Sequence, residues 1–119
     1  MKTSLILRLI VRLEQIFANL LGNAIRYTEK GSISVQVRSE ENKVQVIIED
    51  TGIGIPNEEL SQIFERFHRV EKSRSRLLGG TGLGLAIVKN LVELQHWTIS
   101  VSSQIGKGTR FELSFPKAE

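Results

Sequence analysis

The sequence predicts an α+β domain in which helices cover one face of an antiparallel-rich sheet. Residues 5–27 repeat apolar side chains with a helical period, and residues 33–48 and 98–115 each hold two segments with the period of two that is typical of strands. The resulting order is helix, two strands, helix, loop, helix and two strands, which favours two packed layers. Because the 119 residues contain no linker or internal repeat, residues 1–119 are expected to form a single domain.

The composition excludes several classes of function. The chain has no cysteine, which excludes disulfides and thiolate metal sites. The formal charge is only +3 and the basic residues are dispersed, so nucleic acid is not an expected partner. No apolar run approaches the roughly 18 residues of a membrane span, and Arg8 and Arg12 interrupt the N-terminal apolar segment, which argues against a signal peptide. We therefore expect a cytoplasmic domain without membrane contact of its own.

The first predicted helix combines an apolar face with a polar stripe. The apolar face contains Ile6, Ile10, Leu13, Phe17, Leu20, Leu21 and Ala24. The polar stripe repeats every three or four residues and consists of Arg8, Arg12, Gln15, Asn19, Asn23 and Arg26. For the stripe alone, a solvated helix face is the better interpretation. Amide oxygens are also ligands that Mg²⁺ takes beside nucleotide phosphates, so Asn19 and Asn23 are candidates for a metal site.

The remaining periodic segments predict two antiparallel hairpins and two further helices. The four strands are expected at residues 33–37, 44–48, 98–103 and 109–115. A helix is expected from Pro56 to Phe67, because acidic residues occupy its first turn and apolar residues recur on one face. Another helix is expected over residues 85–94.

A glycine-rich segment at residues 79–84 directly precedes this last helix. It lacks the Lys-Ser or Lys-Thr of a P-loop, and it follows a polar loop, whereas a dinucleotide-binding fingerprint follows a strand. It also differs from a protein-kinase glycine loop, which joins two strands. Free N–H groups at a helix start, with basic residues shortly upstream, favour an anion such as phosphate. A solvent-exposed loop is the alternative.

The segment Asp-Thr-Gly-Ile-Gly-Ile-Pro at residues 50–56 follows a predicted strand. The carboxylate of Asp50 only accepts hydrogen bonds and suits the exocyclic amine of adenine, while alternate glycines let the backbone turn closely around a flat ligand. Taken alone, the segment is explained equally well as an ordinary Asx turn. Together with the polar helix stripe and the glycine-rich helix start, it offers one part of a Mg-nucleotide site.

Several stretches resemble one family. NLLGNAIRYT, DTGIGIP, IFERFHRV and GGTGLGLAIVKNLVE resemble the N, G1, F and G2 boxes of sensor histidine kinases, and GKGTRFELSFP resembles the segment that closes their catalytic, ATP-binding domain. The resemblance covers roughly residues 12–116. It implies the Bergerat-type two-layer α/β sandwich, with a mixed, antiparallel-rich sheet and a mobile lid over ATP.

The resemblance also implies roles for individual residues. Asn23 would be the main Mg²⁺ ligand and Asn19 would assist at the metal and the phosphates. Arg26 and Tyr27 would line the phosphate and ribose side, and Asp50 would receive the adenine amine. The adenine pocket would be shaped by Gly52, Gly54 and Ile55. Phe64 and Phe67 would anchor the lid. The phosphate end would be held by Gly80, Thr81, Gly82, Leu83 and Gly84, and one of Lys72, Arg74 and Arg76 would reach the γ-phosphate.

The implied activity is γ-phosphoryl transfer from Mg-ATP to a histidine on a separate dimerising helical hairpin, and from there to an aspartate of a response regulator. The related gyrase- and MutL-type ATPases place a glutamate base at the position of Asn19. Since an amide cannot take up a proton at neutral pH, transfer rather than hydrolysis is expected. A stand-alone ATPase or serine kinase of this fold, or a non-catalytic or engineered fragment, are the alternatives.

Two regions depart from the family pattern. His68 and His96 are the only histidines and neither lies in a phosphoacceptor sequence, so the chain is not expected to phosphorylate itself. Residues 1–11 replace the usual first strand, with Leu9 at the position of an expected aspartate. A missing strand would expose a sheet edge or an apolar stripe, so self-association is expected.

Overall fold

The computed structural model describes residues 2–65 and 84–117, with the side chains of the first helix from Ile10 onward. The elements are α1 (Lys2–Arg26), β1 (Ile33–Ser39), β2 (Lys43–Asp50), a 3₁₀ helix (Asn57–Glu59), α2 (Gly84–Leu94), β3 (Thr98–Gln104) and β4 (Gly108–Pro116). None of the helices in these two ranges is long and apolar enough to cross a membrane.

The four strands form one sheet in the order β1-β2-β4-β3, and all three pairings are antiparallel. Both predicted hairpins are therefore confirmed. The central pairing joins β2 to β4, which are far apart in sequence. Its register places Asp50 opposite Thr109, and the next pairing places Thr109 opposite Ser103. These three residues form a row across one end of the sheet.

The two α-helices cover a single face of this sheet, which confirms the predicted two-layer class. Ile16 and Leu20 of α1 and Val88 and Val92 of α2 are almost completely buried. They pack against a sheet face formed by Val46, Ile48, Phe111 and Leu113, with Ile99 and Val101 partly buried beside them. Full burial of each such aliphatic side chain contributes about 1.5–3 kcal/mol to folding.

Helix α1 agrees with the predicted period except at its beginning. Ile10 was expected on the apolar face, but its side chain is 52% exposed. A helix of 25 residues is about 38 Å long, whereas a strand of nine residues spans about 30 Å, so the first turns of α1 extend past the sheet. Ile16, which the predicted face did not include, is fully buried.

The helix expected at residues 56–67 is the main difference between prediction and structure. Only Asn57–Glu59 form a 3₁₀ helix, and turns follow to Glu65. The backbone N–H groups of this segment donate to carbonyls three residues earlier, as from Gln62 to Glu59, and Pro56 provides no side-chain cap. Ile63 is nevertheless buried, and the ring of Phe64 lies edge-on to Phe111 with centroids 6.3 Å apart. The apolar pattern thus correctly indicated burial but not the type of helix.

Candidate nucleotide-binding site

Asp50 ends β2 at the edge of the core, and its side chain is only 7% exposed. Its Oδ1 accepts hydrogen bonds from the backbone N–H of Gly52 at 2.9 Å and of Thr109 at 3.3 Å. Burial raises the pKa of the carboxyl group; these two bonds and the nearby Thr28 hydroxyl lower it, and the Glu49 carboxylate raises it slightly. Since both bonds reach Oδ1, Oδ2 is the oxygen available to accept from a ligand.

Thr28 lies at the same place, directly after α1. Its Oγ1 is buried, and no residue within 2–65 or 84–117 forms a hydrogen bond with it. A Cβ added to Gly52 would lie 2.7 Å from this oxygen. The Asp50 end of the site therefore has a buried hydroxyl that acts on the Asp50 carboxyl but makes no well-formed hydrogen bond there, and a polar ligand could complete its hydrogen bonding.

The two glycines of the 50–56 turn let three chain segments meet. A Cβ at Gly52 would overlap the carbonyl oxygen of Tyr27, and a Cβ at Gly54, where φ is 77°, would overlap the carbonyl oxygen of Gln104. The expected close approach of the backbone is present, but its partners are other backbone segments. The role of both glycines in shaping an adenine pocket stays a prediction.

The turn is also hydrogen-bonded to the hairpin of β3 and β4. The N–H of Gly106 donates to the carbonyl of Ile53 at 2.9 Å, and the N–H of Ile55 donates to Ser103 Oγ at 2.7 Å. Ile55 itself is buried. The turn that follows Asp50 is thus fixed to the C-terminal hairpin.

Asn19 lies at the other end of the candidate site, between the two helices. Its Nδ2 donates to the carbonyl of Gln15 at 2.9 Å, which turns Oδ1 away from α1's own backbone. A Cβ at Gly84, the first residue of α2, would lie 2.9 Å from this Oδ1. A residue with a side chain at position 84 would therefore press on the amide, and Gly84 lets the start of α2 lie against it.

Asn23 and Arg26 interact with each other along α1. Arg26 Nη2 donates to Asn23 Oδ1 at 3.2 Å, so the amide oxygen expected to bind metal already accepts one bond and has one lone pair left. Arg26 Nε is buried and has no partner in the part of the chain that the structure describes. The metal and phosphate roles of these residues stay predictions.

Helix α1 joins the two ends of the site. Tyr27 donates its N–H to the carbonyl of Asn23 at 3.2 Å and accepts the N–H of Ile53 at 3.1 Å, which ties the end of α1 to the Asp50 turn. Eight residues separate Asn19 from Tyr27, or about 12 Å along a helix. That the amides and the carboxylate form one elongated site stays a prediction.

The rest of the predicted phosphate end lies outside the described residues. This concerns the predicted lid, its anchor Phe67, and the residues Lys72, Arg74, Arg76, Gly80, Thr81, Gly82 and Leu83. Their roles stay predictions.

Sequence reasoning missed two residues of the site, Ser103 and Thr109. The hydroxyl groups of the two are 2.8 Å apart, and Thr109 also binds Asp50 through its backbone N–H. Both were assigned only to predicted strands. The β2–β4 register brings Thr109 to Asp50, and the β3–β4 register brings Ser103 to Thr109. No local pattern in the sequence could indicate these contacts.

The residue types at both ends fit a nucleotide with a metal ion. The Asp50 end offers a carboxylate acceptor for an amine and a buried hydroxyl. The α1 end offers two amide oxygens and a guanidinium group, which suit a hard cation and a phosphate respectively.

Comparison with known proteins identifies the family of this chain. The family described as histidine kinase-, DNA gyrase B-, and HSP90-like ATPase matches residues 9–119. The chain is 48% identical over 102 residues to the probable sensor kinase SilS of Salmonella typhimurium, which covers 85% of this chain and 20% of SilS. The chain spans a fifth or less of the length of eight such curated relatives.

Two solved structures are similar throughout the fold. A mycobacterial sensor histidine kinase, MprB, superposes with a TM-score of 0.78 at 31% identity, covering 89% of this chain and 72% of the MprB chain. Full-length ShkA in complex with AMPPNP superposes with a TM-score of 0.74 at 33% identity, covering 87% of this chain and 21% of ShkA. The chain therefore belongs to the histidine kinase-, DNA gyrase B- and HSP90-like ATPase family, as a catalytic domain of the sensor histidine kinase type.

Proposed function

We propose that this domain binds Mg-ATP and transfers the γ-phosphoryl group to a histidine on a separate dimerisation and phosphoacceptor domain. An aspartate of a response regulator would then receive the phosphoryl group. Membership of an ATPase family and the likeness to ShkA in complex with AMPPNP support nucleotide binding. A cytoplasmic location belongs to the same proposal, since ATP is the phosphoryl donor.

The observation that carries the proposal is the environment of Asp50. Its Oδ1 is held by two backbone N–H groups, and its Oδ2 is left to accept the exocyclic amine of adenine. Because one oxygen is fixed in this way, the other is already oriented in the free protein. Ligand binding therefore loses little further conformational entropy of the Asp50 side chain.

Phosphate and metal would lie along α1. Asn23 Oδ1 keeps a lone pair for Mg²⁺, and Asn19 Oδ1 lies at the start of α2. Arg26 is close enough to Asn23 to meet a phosphate bound beside the same metal. When bound, Mg²⁺ supplies neutralisation of the charge that develops on the phosphoryl group.

The amide of Asn19 favours transfer over hydrolysis. Activation of water needs a group that takes up a proton, and an amide cannot do so near neutral pH. The site would therefore hold ATP in place until a nucleophile from another domain reaches the γ-phosphorus. Catalysis would rest on positioning and charge stabilisation.

The test is incubation of the chain with γ-labelled ATP, with and without a separate hairpin that carries the phosphoacceptor histidine. We expect acid-labile label on the hairpin and none on the chain alone. Asn23→Ala should abolish the transfer, whereas Ser102→Ala, an exposed position on β3, should leave it unchanged. Release of inorganic phosphate or formation of phosphoserine would instead support the stand-alone ATPase or kinase, and absence of label would support a non-catalytic fragment.

A further inference from the structure

Ser103 lies at one end of a row of three oxygen-bearing side chains at one end of the sheet, with Thr109 between it and Asp50. The registers align Asp50 of β2, Thr109 of β4 and Ser103 of β3, and paired residues in antiparallel strands point to the same face. This face is the one covered by the helices, because Ile48, Phe111 and Val101 lie two residues further along and face the core. Thr109 is therefore the single residue that separates Ser103 from Asp50 across the sheet.

Three groups contact the hydroxyl group of Ser103. The N–H of Ile55 lies at 2.7 Å, the carbonyl oxygen of Gly108 at 2.9 Å and the hydroxyl oxygen of Thr109 at 2.8 Å. A serine hydroxyl has one proton and two lone pairs, so it can make one donated and two accepted bonds. All three of its positions are therefore in use.

The chemistry of the partners assigns each proton. The N–H of Ile55 can only donate, so it takes one lone pair of Ser103. The carbonyl of Gly108 can only accept, so it takes the proton of Ser103. The hydroxyl of Thr109 must then donate to the second lone pair of Ser103. The reverse assignment would leave Ser103 Oγ and the Gly108 oxygen 2.9 Å apart without a proton between them.

This assignment fixes what the Asp50 end of the site presents to a base. The Thr109 proton is directed toward Ser103, so the Thr109 oxygen has only lone pairs for other partners. Asp50 in its ionised form also only accepts. An exocyclic amine is favoured next to two acceptors, whereas a ring carbonyl at the same position would face oxygen atoms with no proton to share.

We propose that Ser103 is a specificity-determining positioning residue, which holds the Thr109 proton away from the base site and so favours adenine over hypoxanthine. The inference rests on the proposed function, because it needs the base to lie at Asp50. Ser103 itself does not touch the nucleotide. It accepts a hydrogen bond from the Thr109 hydroxyl, so that this hydroxyl can only accept hydrogen bonds from the base.

The test compares the dissociation constants of Mg-ADP and Mg-IDP by calorimetry. The two ligands differ in the amine or carbonyl on C6 and in the proton that N1 carries only in IDP, so the comparison between variants, not the absolute preference, isolates the effect of Ser103. In Ser103→Ala, the Thr109 hydroxyl is free to donate to the carbonyl of IDP, so we expect the preference for ADP to fall about tenfold, the contribution of one hydrogen bond. Ser103→Thr keeps the hydroxyl and should keep the preference. Ser102→Ala, exposed on the other face of β3, is the matched control.

A purely structural role gives a different result. Ser103→Ala also leaves the Ile55 N–H without its partner, which would lower the melting temperature and weaken both nucleotides equally. An unchanged ADP-to-IDP ratio in a variant that still binds ADP overturns the inference and leaves the proposed function standing. If the wild-type chain binds neither nucleotide, both fall.

If Ser103→Ala does not fold, a second pair of variants tests the same role of Ser103. Ser103→Cys replaces the oxygen by a weak acceptor and should lower the preference for ADP in the same direction. Adding Thr109→Val removes the released donor, so the double variant should regain preference relative to Ser103→Cys. A double variant without this recovery would overturn the role of Thr109.

Discussion

Asp50 is a buried carboxylate whose ionised form is opposed by its surroundings. Burial has the largest effect and raises its pKa, and hydrogen bonds from Gly52 and Thr109 offset only part of this. Buried carboxylates without a cationic partner are rare in soluble proteins because desolvation is costly. Their presence in a cleft is a reason to look for a ligand.

The raised pKa predicts how stability depends on pH. A carboxyl group whose pKa is higher in the folded state binds more protons there than in the unfolded chain. Its contribution to stability is therefore fully present below the unfolded pKa and is lost as pH rises from about 4 through the raised value. Thermal unfolding without nucleotide should show the wild type losing stability over this window relative to Asp50→Asn. A parallel pH dependence of the two proteins would contradict this.

Asp50→Asn also tests the base contact. The amide oxygen of asparagine can replace Oδ1 as acceptor for the N–H groups of Gly52 and Thr109, so the fold should be retained. Its NH₂ group then occupies the place of Oδ2 and opposes an adenine amine. Calorimetric titration with Mg-ADP should show a loss of about 100-fold in affinity, the value of one hydrogen bond to a charged group. Unchanged affinity would place the base elsewhere.

At the scale of elements, the site depends on two turns that pack together without side chains between them. Gly54 and Gly106 both have positive φ, 77° and 81°. A Cβ at Gly54 would overlap the Gln104 carbonyl, whereas a Cβ at Gly106 would meet nothing within 4 Å. A side chain at either position would strain the backbone, but only a side chain at Gly54 would also overlap with neighbouring atoms.

The two alanine variants should differ in stability. Gly106→Ala carries only the cost of a left-handed backbone, about 1–2 kcal/mol. Gly54→Ala adds the displacement of the β3–β4 turn and should cost about 1–3 kcal/mol more. Chemical denaturation of both variants measures the difference. Equal costs would show that the two turns separate easily.

The elements themselves were largely predictable because apolar residues in most of them recur with either the helical period or the strand period, and not with both. Both hairpins and α2 agree with the pattern within two residues. The segment at 56–67 was predicted as a helix because an apolar face at three- and four-residue spacing fits both a helix and a sequence of tight turns. The uncapped start at Pro56 and the burial of Ile63 are compatible with the turns that the structure contains.

Candidate site residues could be proposed from the sequence only where they lie in local motifs. Asp50 was proposed from a carboxylate and two glycines directly after a strand, and Asn19 and Asn23 from a shared helix face together with the family resemblance. Their binding roles stay predictions. The contribution of Ser103 and Thr109 depends on a register between strands that are almost 60 residues apart, as Asp50 and Thr109 are. The Arg26–Asn23 bond depends on a rotamer choice, which no residue pattern specifies.

At the scale of the whole molecule, β1 is the element from which we expect the largest effect on self-association. It lies at one edge of the described sheet, and all its residues except Ile33 are exposed. Val35 and Val37 face the same side as the core yet are 53% and 67% exposed. Unpaired N–H and C=O groups beside apolar side chains favour pairing with another strand.

We expect a second copy of the chain to pair with β1. Antiparallel pairing centred on Gln36 places Val35 of one copy opposite Val37 of the other and Arg38 opposite Ser34, so no like charges face each other. Apolar Ile10 and Val11 are also exposed in the N-terminal part of α1, where self-association was expected. The edge of β1 is the better-defined surface.

Light scattering over a range of concentrations tests this expectation. The apparent mass should rise with concentration for the wild type, and Val37→Lys should prevent the rise because a charge opposes pairing at an edge. Leu94→Lys is the control, since it removes a similarly exposed apolar side chain, 60% exposed, at the end of α2. A chain that stays monomeric at high concentration would contradict the expectation.

The proposed function places an adenine nucleotide along α1, with its base at Asp50 and its metal at Asn23. A crystal structure of the chain soaked with Mg-ADP would test both contacts at once. We predict the exocyclic amine about 2.7–3.2 Å from Asp50 Oδ2 and the metal ion coordinated by Asn23 Oδ1. A base bound away from Asp50, or a metal held without either amide of α1, would contradict this placement.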